Sequence, residues 1–200
     1  MRSAFVVIAA IGLSGGFTQA FAANLLKDGG FEEPPTPAGG FTVYDTGQTF
    51  SKWTVVGNPG NVGTVSTTFT QNGYSFPAKV GQAWVDLTGN SNTATGVAQT
   101  IKTVAGTGYT VTFWVGNVVN PGGVFGTTST VDVYDGTSLL IAATNSNGGG
   151  GTTQVWKKFT ATFTATASKT TLSFYNGDPS NDTDCGLDEV NVEPTAAAAP

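Results

Sequence analysis

The stretch YTVTFWV, residues 109–115, decides the fold class. Its odd-numbered positions are apolar or aromatic, whereas two of its three even-numbered positions are threonine. Because successive side chains of a β-strand point to opposite faces, this alternation predicts a strand with one face in the core. The inward set is Tyr109, Val111, Phe113 and Val115, with Trp114 on the outward face.

The same parity assigns faces in other segments. In AWVDL, residues 83–87, Val85 and Leu87 face inward while Trp84 and Asp86 face outward. Trp53 is in phase with Val55 and is predicted to be internal. The predicted outward aromatic side chains are Trp84, Trp114, Tyr134 and Tyr175.

Short strand-like runs recur along the chain, separated by clusters of Gly, Asn, Pro and Asp. No segment carries apolar residues at helical spacing over three turns, and only 10% of residues are charged, so the sequence favours an all-β fold. A length of 200 residues fits one large domain, and we expect a β-sandwich. The predicted strands are 41–45, 52–56, 62–69, 83–87, 96–102, 109–115, 130–134, 139–144, 155–164, 170–175 and 187–192.

Composition excludes several kinds of chemistry. The chain has no histidine and one cysteine, so it cannot assemble a Ser-His-Asp triad or a conventional zinc site. Its formal net charge of −5 argues against a nucleic-acid partner. A function must therefore come from carboxylates, amides, hydroxyls and aromatic rings.

The first residues have the pattern of a secretory signal peptide. One basic residue precedes an apolar run from Ala4 to Leu13, and the small-residue pattern Ala20-Phe21-Ala22 follows. The run is too short to span a bilayer, so we expect cleavage rather than a membrane anchor. The prediction is a signal peptide at 1–22, one domain at 23–193 and a disordered tail at 194–200, in a secreted or periplasmic protein.

Cys185 is the single cysteine, so no disulfide can form within the chain. Two interpretations of this residue remain open. It is either a small buried hydrophobe, which is the usual state of an unbridged cysteine, or the site of an intermolecular disulfide.

Five segments resemble, in order, the secreted "domain of unknown function 642" family, whose bacterial members include the choice-of-anchor C group. They are NLLKDGGFEEP, SKWTVVG, GQAWVDLTGN, GVAQTIKTVAGTGYTVTFWVGN and CGLDEVNV. The resemblance covers nearly the whole chain after the leader. It implies a single jelly-roll sandwich of the galactose-binding-like type, an architecture shared by many carbohydrate-binding modules.

The resemblance also implies a structural calcium ion where the two chain ends meet. Jelly-roll modules of this type hold calcium with a Glu near the N-terminus and an Asp near the C-terminus, which here match Glu32 and Asp188. Loop oxygens at Lys27 and Asp28 would complete the set, since calcium takes six to eight oxygen ligands. The alternative is that Glu32 and Asp188 accept hydrogen bonds from backbone amides.

The outward aromatic residues suggest a glycan-binding surface. Sugars stack on aromatic rings while carboxylates and amides bind their hydroxyl groups, and Asp86 and Asp132 are in phase with the outward rings. Phe125, in a glycine-rich loop, is a further candidate, with Tyr74 and Phe76. The predicted function is a noncatalytic glycan-binding or wall-associated module.

Two other classes of function remain open. A structural extracellular protein could act through protein contacts, since low charge and threonine-rich faces suit such packing. A glycosidase with two carboxylates is the kind of hydrolase that does not need histidine.

Overall fold

The computed structural model describes residues 23–120, 125–178 and 184–196. The predicted signal peptide at 1–22 therefore lies outside the described residues. In the described chain fourteen strands are present, and no helix there is long and apolar enough to cross a membrane. The strands are β1 (Phe41–Asp45), β2 (Thr49–Phe50), β3 (Trp53–Gly57), β4 (Asn61–Ser66), β5 (Thr70–Gln71), β6 (Tyr74–Ser75), β7 (Ala83–Asp86), β8 (Thr95–Lys102), β9 (Gly108–Asn117), β10 (Ser129–Asp135), β11 (Ser138–Asn145), β12 (Val155–Thr164), β13 (Lys169–Asn176) and β14 (Gly186–Pro194).

Two six-stranded antiparallel sheets form the fold within the described ranges. Sheet 1 has the order β1-β4-β7-β14-β9-β12, and sheet 2 has the order β11-β10-β13-β8-β3-β2. The first and last strands of the domain thus share sheet 1, as jelly-roll connectivity requires. The predicted all-β jelly-roll sandwich is confirmed, and each of the eleven predicted strands is present in a similar range.

The core between the sheets is built from the predicted inward faces. Val111, Phe113 and Val115 of β9 are fully buried, and Phe113 packs edge-on against Phe174 of β13 with ring centroids 5.7 Å apart. Trp53 is also fully buried, as expected, and its indole N–H donates to the carbonyl of Asp28 at 2.8 Å. The period-two pattern therefore placed this core correctly.

A second apolar cluster covers the outer face of sheet 1. The segment 67–82, which connects β4 to β7, crosses this face, and we call it the strap. Phe76 of the strap is buried with Trp84 of β7 and Phe125 of the β9–β10 loop, and Trp156 packs against them. Apolar side chains therefore lie on both faces of sheet 1, and the strap covers part of the outer face.

The prediction that Trp84 is exposed on an outer face is wrong. Its side chain does point away from the inter-sheet core, but the strap covers it and leaves it 2% exposed. Its indole N–H donates to the carbonyl of Phe76 at 2.9 Å, so its polar atom is also satisfied. Trp84 is therefore a core residue of the second cluster. The alternation of residues along a strand determines which way a side chain points, but it does not show whether another segment covers that side chain.

The strap contains a tight hairpin at Asn72–Gly73. Both residues have positive φ, 53° and 81°, as a type I′ turn requires, and Gln71 pairs with Tyr74 across it. The hairpin β5–β6 holds Gln71 and Asn72 above the sheet. Neither short strand was predicted.

Cys185 and the chain end are also placed. Cys185 is fully buried and its thiol donates to the carbonyl of Thr130 at 3.2 Å, which fits the buried interpretation; a bridge to another chain would need an accessible thiol. The predicted tail at 194–200 is corrected at its start, because β14 includes Pro194 and the N–H of Thr195 donates to Gly108. Residues 197–200 lie outside the described residues.

Replacing Trp84 by alanine tests the second cluster. We expect Trp84→Ala to lower the free energy of unfolding by about 3–5 kcal/mol, because it leaves a large cavity and removes the hydrogen bond to Phe76. Trp114→Ala, at a half-buried position on the same face, should cost less. Urea denaturation measures both, and a Trp84→Ala domain as stable as the wild type would show that the strap does not cover this face.

Candidate functional site

A pocket of about 270 Å³ opens on the outer face of sheet 1, between the strap and strands β1, β4 and β7. Sheet residues form its floor, and the β5–β6 hairpin and the loops after β7 and β9 form its walls. Aromatic and polar side chains share this space. The lining residues are Phe41, Val43, Gly63, Val65, Phe69, Gln71, Asn72, Asp86, Gly89, Asn90 and Phe125.

Asp86 is the carboxylate of the pocket. Its Oδ1 atom accepts hydrogen bonds from the hydroxyl of Thr88 at 2.6 Å, from the N–H of Thr88 at 2.9 Å and from the N–H of Cys185 at 3.3 Å. Burial raises the pKa of Asp86 to about 6, although these hydrogen bonds favour the charged form and oppose the shift. Asp86 is thus ionised at neutral pH and fixed in orientation.

The loop after β7 is held in place beside Asp86. Gly89 has a φ of 50°, and a Cβ there would collide with Asn61. The side-chain oxygen of Asn61 accepts the N–H of Asn90 at 2.7 Å. The backbone that presents Asn90 to the pocket is therefore set before any ligand arrives.

Phenylalanine rings supply the apolar wall. Phe41 is 47% exposed, which is unusual for so large an apolar side chain, and it packs edge-on against Phe69 at 5.7 Å. Phe125 packs against Phe76 at 5.1 Å, so the wall continues into the second cluster. The rings are anchored on one side and open to the pocket on the other.

Gly63 leaves the floor open next to the carboxylate. It lies opposite Asp86 in the β4–β7 pairing. A Cβ at Gly63 would meet nothing closer than the carbonyl of Thr42 and a methyl of Val65, both at 3.9 Å. A Cβ here would therefore fit without a clash at a position that lines the pocket.

This arrangement suits a ligand that has both apolar faces and hydroxyl groups. Aromatic rings pack against the apolar faces of a ligand ring. The carboxylate accepts hydrogen bonds from hydroxyl groups, and the neighbouring side-chain amides both donate to them and accept from them. A shaped apolar pocket with a few oriented polar groups is the usual form of a small-molecule site.

The structure separates the predicted ligand-binding residues. Asp86 and Phe125 line the pocket, whereas Trp84 is buried beneath the strap. Trp114 is half-buried on the same sheet face, with the ammonium of Lys79 4.1 Å from its ring centroid. The six candidates therefore do not lie on one surface.

Tyr134 and Tyr175 lie on the opposite side of the sandwich. Both project from the outer face of sheet 2, where their rings meet edge-on at 5.7 Å, and Asp132 lies across from Tyr175 in the β10–β13 pairing. Their outward direction agrees with the parity prediction. They belong to a different surface from the pocket.

Sequence reasoning missed most of the pocket wall. Phe41, Phe69 and the amides of Gln71, Asn72 and Asn90 were not proposed as ligand contacts. One signal was present: the Asn72–Gly73 dipeptide is typical of a two-residue hairpin, and it marks the turn that presents two of these amides.

The carboxylates proposed as calcium ligands bind the end of the strap. Glu32 accepts the N–H groups of Gln82 at 2.9 Å and Ala83 at 3.3 Å, while Asp188 accepts those of Lys79 at 2.8 Å and Val80 at 3.3 Å. Gly81, between these two pairs, has a φ of 78°, and a Cβ there would collide with Glu32. This is the backbone role named as the alternative to calcium.

The two chain ends do meet at these residues, as expected. A Cβ placed on Gly30 would lie 3.9 Å from both Asp188 Oδ1 and Glu32 Cγ. Asp188 is fully buried, and this burial raises its pKa to about 8.

The other two proposed oxygens have partners elsewhere. The carbonyl of Lys27 accepts the amide of Gln99 at 2.9 Å, and the carboxylate of Asp28 accepts the N–H groups of Glu32 and Glu33. Among the described residues no three His, Cys, Asp or Glu side chains form a group that could hold a metal ion. The donor set fits calcium only in part, and calcium stays a prediction.

The fold and site define a class, a single β-sandwich domain with a loop-walled pocket on one sheet face. A family model described as "Protein of unknown function (DUF642)" matches residues 24–193. The chain therefore belongs to this family. No curated protein matches the sequence.

Solved structures share the fold at low sequence identity. A cyclase from Fischerella sp. TAU in complex with 4-(1H-indol-3-yl)butan-2-one is 21% identical, with a TM-score of 0.59 over 90% of this chain and 100% of that chain. The Stig cyclase Fisc from the same organism is 23% identical, with a TM-score of 0.51 over 88% and 100%. A family 35 carbohydrate binding module from Clostridium thermocellum is 11% identical, with a TM-score of 0.48 over 78% and 98%. The two cyclase alignments show a shared β-sandwich fold.

The calcium prediction can be tested by thermal denaturation. An ion bound between Glu32 and Asp188 in the folded state alone would add about 2.7 kcal/mol at 100-fold excess over its Kd. We expect a higher Tm in calcium than in EDTA, with the difference removed in Glu32→Gln and kept in Glu33→Gln, a neighbouring exposed carboxylate. Equal wild-type Tm values in calcium and EDTA would show that these carboxylates do not bind calcium and only accept hydrogen bonds from the backbone of the strap.

Proposed function

We propose that this domain is an exported, noncatalytic carbohydrate-binding module whose glycan occupies the pocket beside Asp86. The observation that carries the proposal is the pocket itself, which places phenylalanine rings and side-chain amides around one oriented carboxylate. Rings of this kind stack on the apolar face of a sugar, while Asp86, Gln71 and Asn90 reach its hydroxyl groups.

The held backbone of the pocket supports binding without a large rearrangement. Asp86 is fixed by Thr88, and Asn90 by Asn61. A site whose groups are already oriented loses less conformational entropy when a ligand binds, so more of the contact energy remains as affinity. This favours recognition of a sugar over a merely incidental surface cleft.

A binding role is favoured over hydrolysis by the number of carboxylates. A two-carboxylate glycosidase needs an acid and a second carboxylate on opposite sides of the scissile bond. Asp86 is the one carboxylate among the described residues that line the pocket. Export follows from the signal-peptide pattern of residues 1–22 and would place the domain where polysaccharides occur.

Removing a pocket contact should weaken glycan binding. Asp86→Asn should reduce affinity about tenfold or more, because a hydrogen bond to a charged group is worth about 1.5–3 kcal/mol. Phe41→Ala should reduce it about threefold to tenfold through lost stacking. Titration with soluble oligosaccharides, chosen after a glycan array, measures both.

Matched controls exist on the other sheet. Asp132→Asn removes the same charge from the outer face of sheet 2, and Leu139→Ala truncates an apolar side chain that is also about half exposed. Both control variants should bind like the wild type. If Asp86→Asn and Phe41→Ala, with unchanged Tm, also bind like the wild type, the glycan does not occupy this pocket.

Filling the pocket provides an independent test. Gly63→Val adds an isopropyl group beside Asp86, at a strand position where a Cβ meets nothing closer than 3.9 Å, and valine is well suited to strands. We expect an unchanged or higher Tm together with loss of glycan binding. A folded Gly63→Val protein that keeps full affinity would contradict the assignment of the ligand to this pocket.

A further inference from the structure

We propose that the pocket selects its saccharide by charge: it accepts neutral and amine-bearing sugars and rejects uronic acids, with Asp86 as the specificity-determining residue. This inference rests on the proposed function and narrows it to a class of ligand. It follows from the charges and hydrogen-bond donors that surround the pocket.

The described residues that line the pocket carry negative charge and no positive charge. Asp86 is the one ionisable side chain among the described lining residues, and the other polar side chains there are the neutral amides of Gln71, Asn72 and Asn90. A second carboxylate in the pocket would therefore find no cationic side chain to pair with among these described lining residues.

Backbone donors near the carboxylate are already in use. The N–H groups of Thr88 and Cys185 donate to Asp86, and that of Asn90 donates to Asn61. With these three N–H groups engaged, the neutral amides of Gln71, Asn72 and Asn90 are the donors that a uronate meets among the polar side chains lining the pocket. These amides lie at exposed positions and would offset only part of the cost of bringing a second negative charge beside Asp86.

Repulsion between the two carboxylates is strengthened by their surroundings. Asp86 is desolvated enough to raise its pKa, and charges interact more strongly where water is partly excluded. At pH 7.5, above the pKa of about 6 that burial gives Asp86, its carboxylate is mostly ionised, and so is that of a uronate. The uronate must bind against this repulsion, whereas a neutral sugar keeps the same hydroxyl contacts without it.

An ammonium group on the sugar is attracted to Asp86, where a uronate is repelled. It pairs with the carboxylate of Asp86, which has no cationic partner among the lining residues. It can also approach the faces of Phe41 and Phe69, and aromatic faces attract cations. Amine-bearing sugars should therefore bind at least as tightly as neutral ones.

The test compares sugars that differ in charge and share their stereochemistry. Methyl glycosides of glucose, glucuronic acid and glucosamine form one series, and matched galactose and mannose sets form two more. Each is titrated into the isotopically labelled domain at pH 7.5 and low salt, and affinities come from amide chemical shifts. In a series that binds, we expect the neutral sugar to bind at least tenfold more tightly than the uronic acid, and the amine at least as tightly as the neutral sugar.

Asp86→Asn should bring the ratio of the affinity for the neutral sugar to the affinity for the uronic acid towards one. Asp132→Asn should leave this ratio unchanged. A wild-type ratio near one would overturn the charge inference while leaving a carbohydrate-binding domain intact. If none of the nine glycosides changes the spectrum, both the charge inference and the proposed carbohydrate-binding function fail. The wild-type ratio decides the matter even if Asp86→Asn does not fold.

Discussion

Aromatic rings packed on the outer face of sheet 1 hold the strap against the sheet and form the apolar wall of the pocket. A sheet in a two-layer sandwich normally leaves its outer face to solvent, but here Trp84 and Trp156 point outward and must be covered. The strap supplies that cover through Phe76 and Phe69. The ring series ends at Phe41 on the edge strand, and the space beside it is the pocket.

The two ends of the domain hold this cover in place. Glu32, from the segment before β1, and Asp188, in the last strand, accept backbone N–H groups on either side of Gly81. The strap is therefore fastened where it enters β7, two strands from the edge. Residues far from the pocket therefore set its shape, because they position the strap that forms one of its walls.

The strands and the inter-sheet core were predictable from the sequence, since alternation is a local property that a strand imposes on its own side chains. The site was predictable only in part. The alternation along β7 showed that Trp84 and Asp86 point to the same outer face of the sheet. Whether the strap covers them depends on contacts that are distant in sequence. Trp84 is buried beneath the strap, whereas Asp86 lines the pocket. Gly63 carries no side chain, and its role as open floor follows only from its pairing with Asp86.

Amide chemical shifts in an isotopically labelled domain show directly where a saccharide binds on the fold. With a glycan identified from an array, we expect the largest changes at Gly63, Gln71, Asp86 and Asn90, with little change on sheet 2. Changes centred instead on Tyr134, Tyr175 and Asp132 would show that the ligand binds the opposite face, and the pocket beside Asp86 would lose its assigned role.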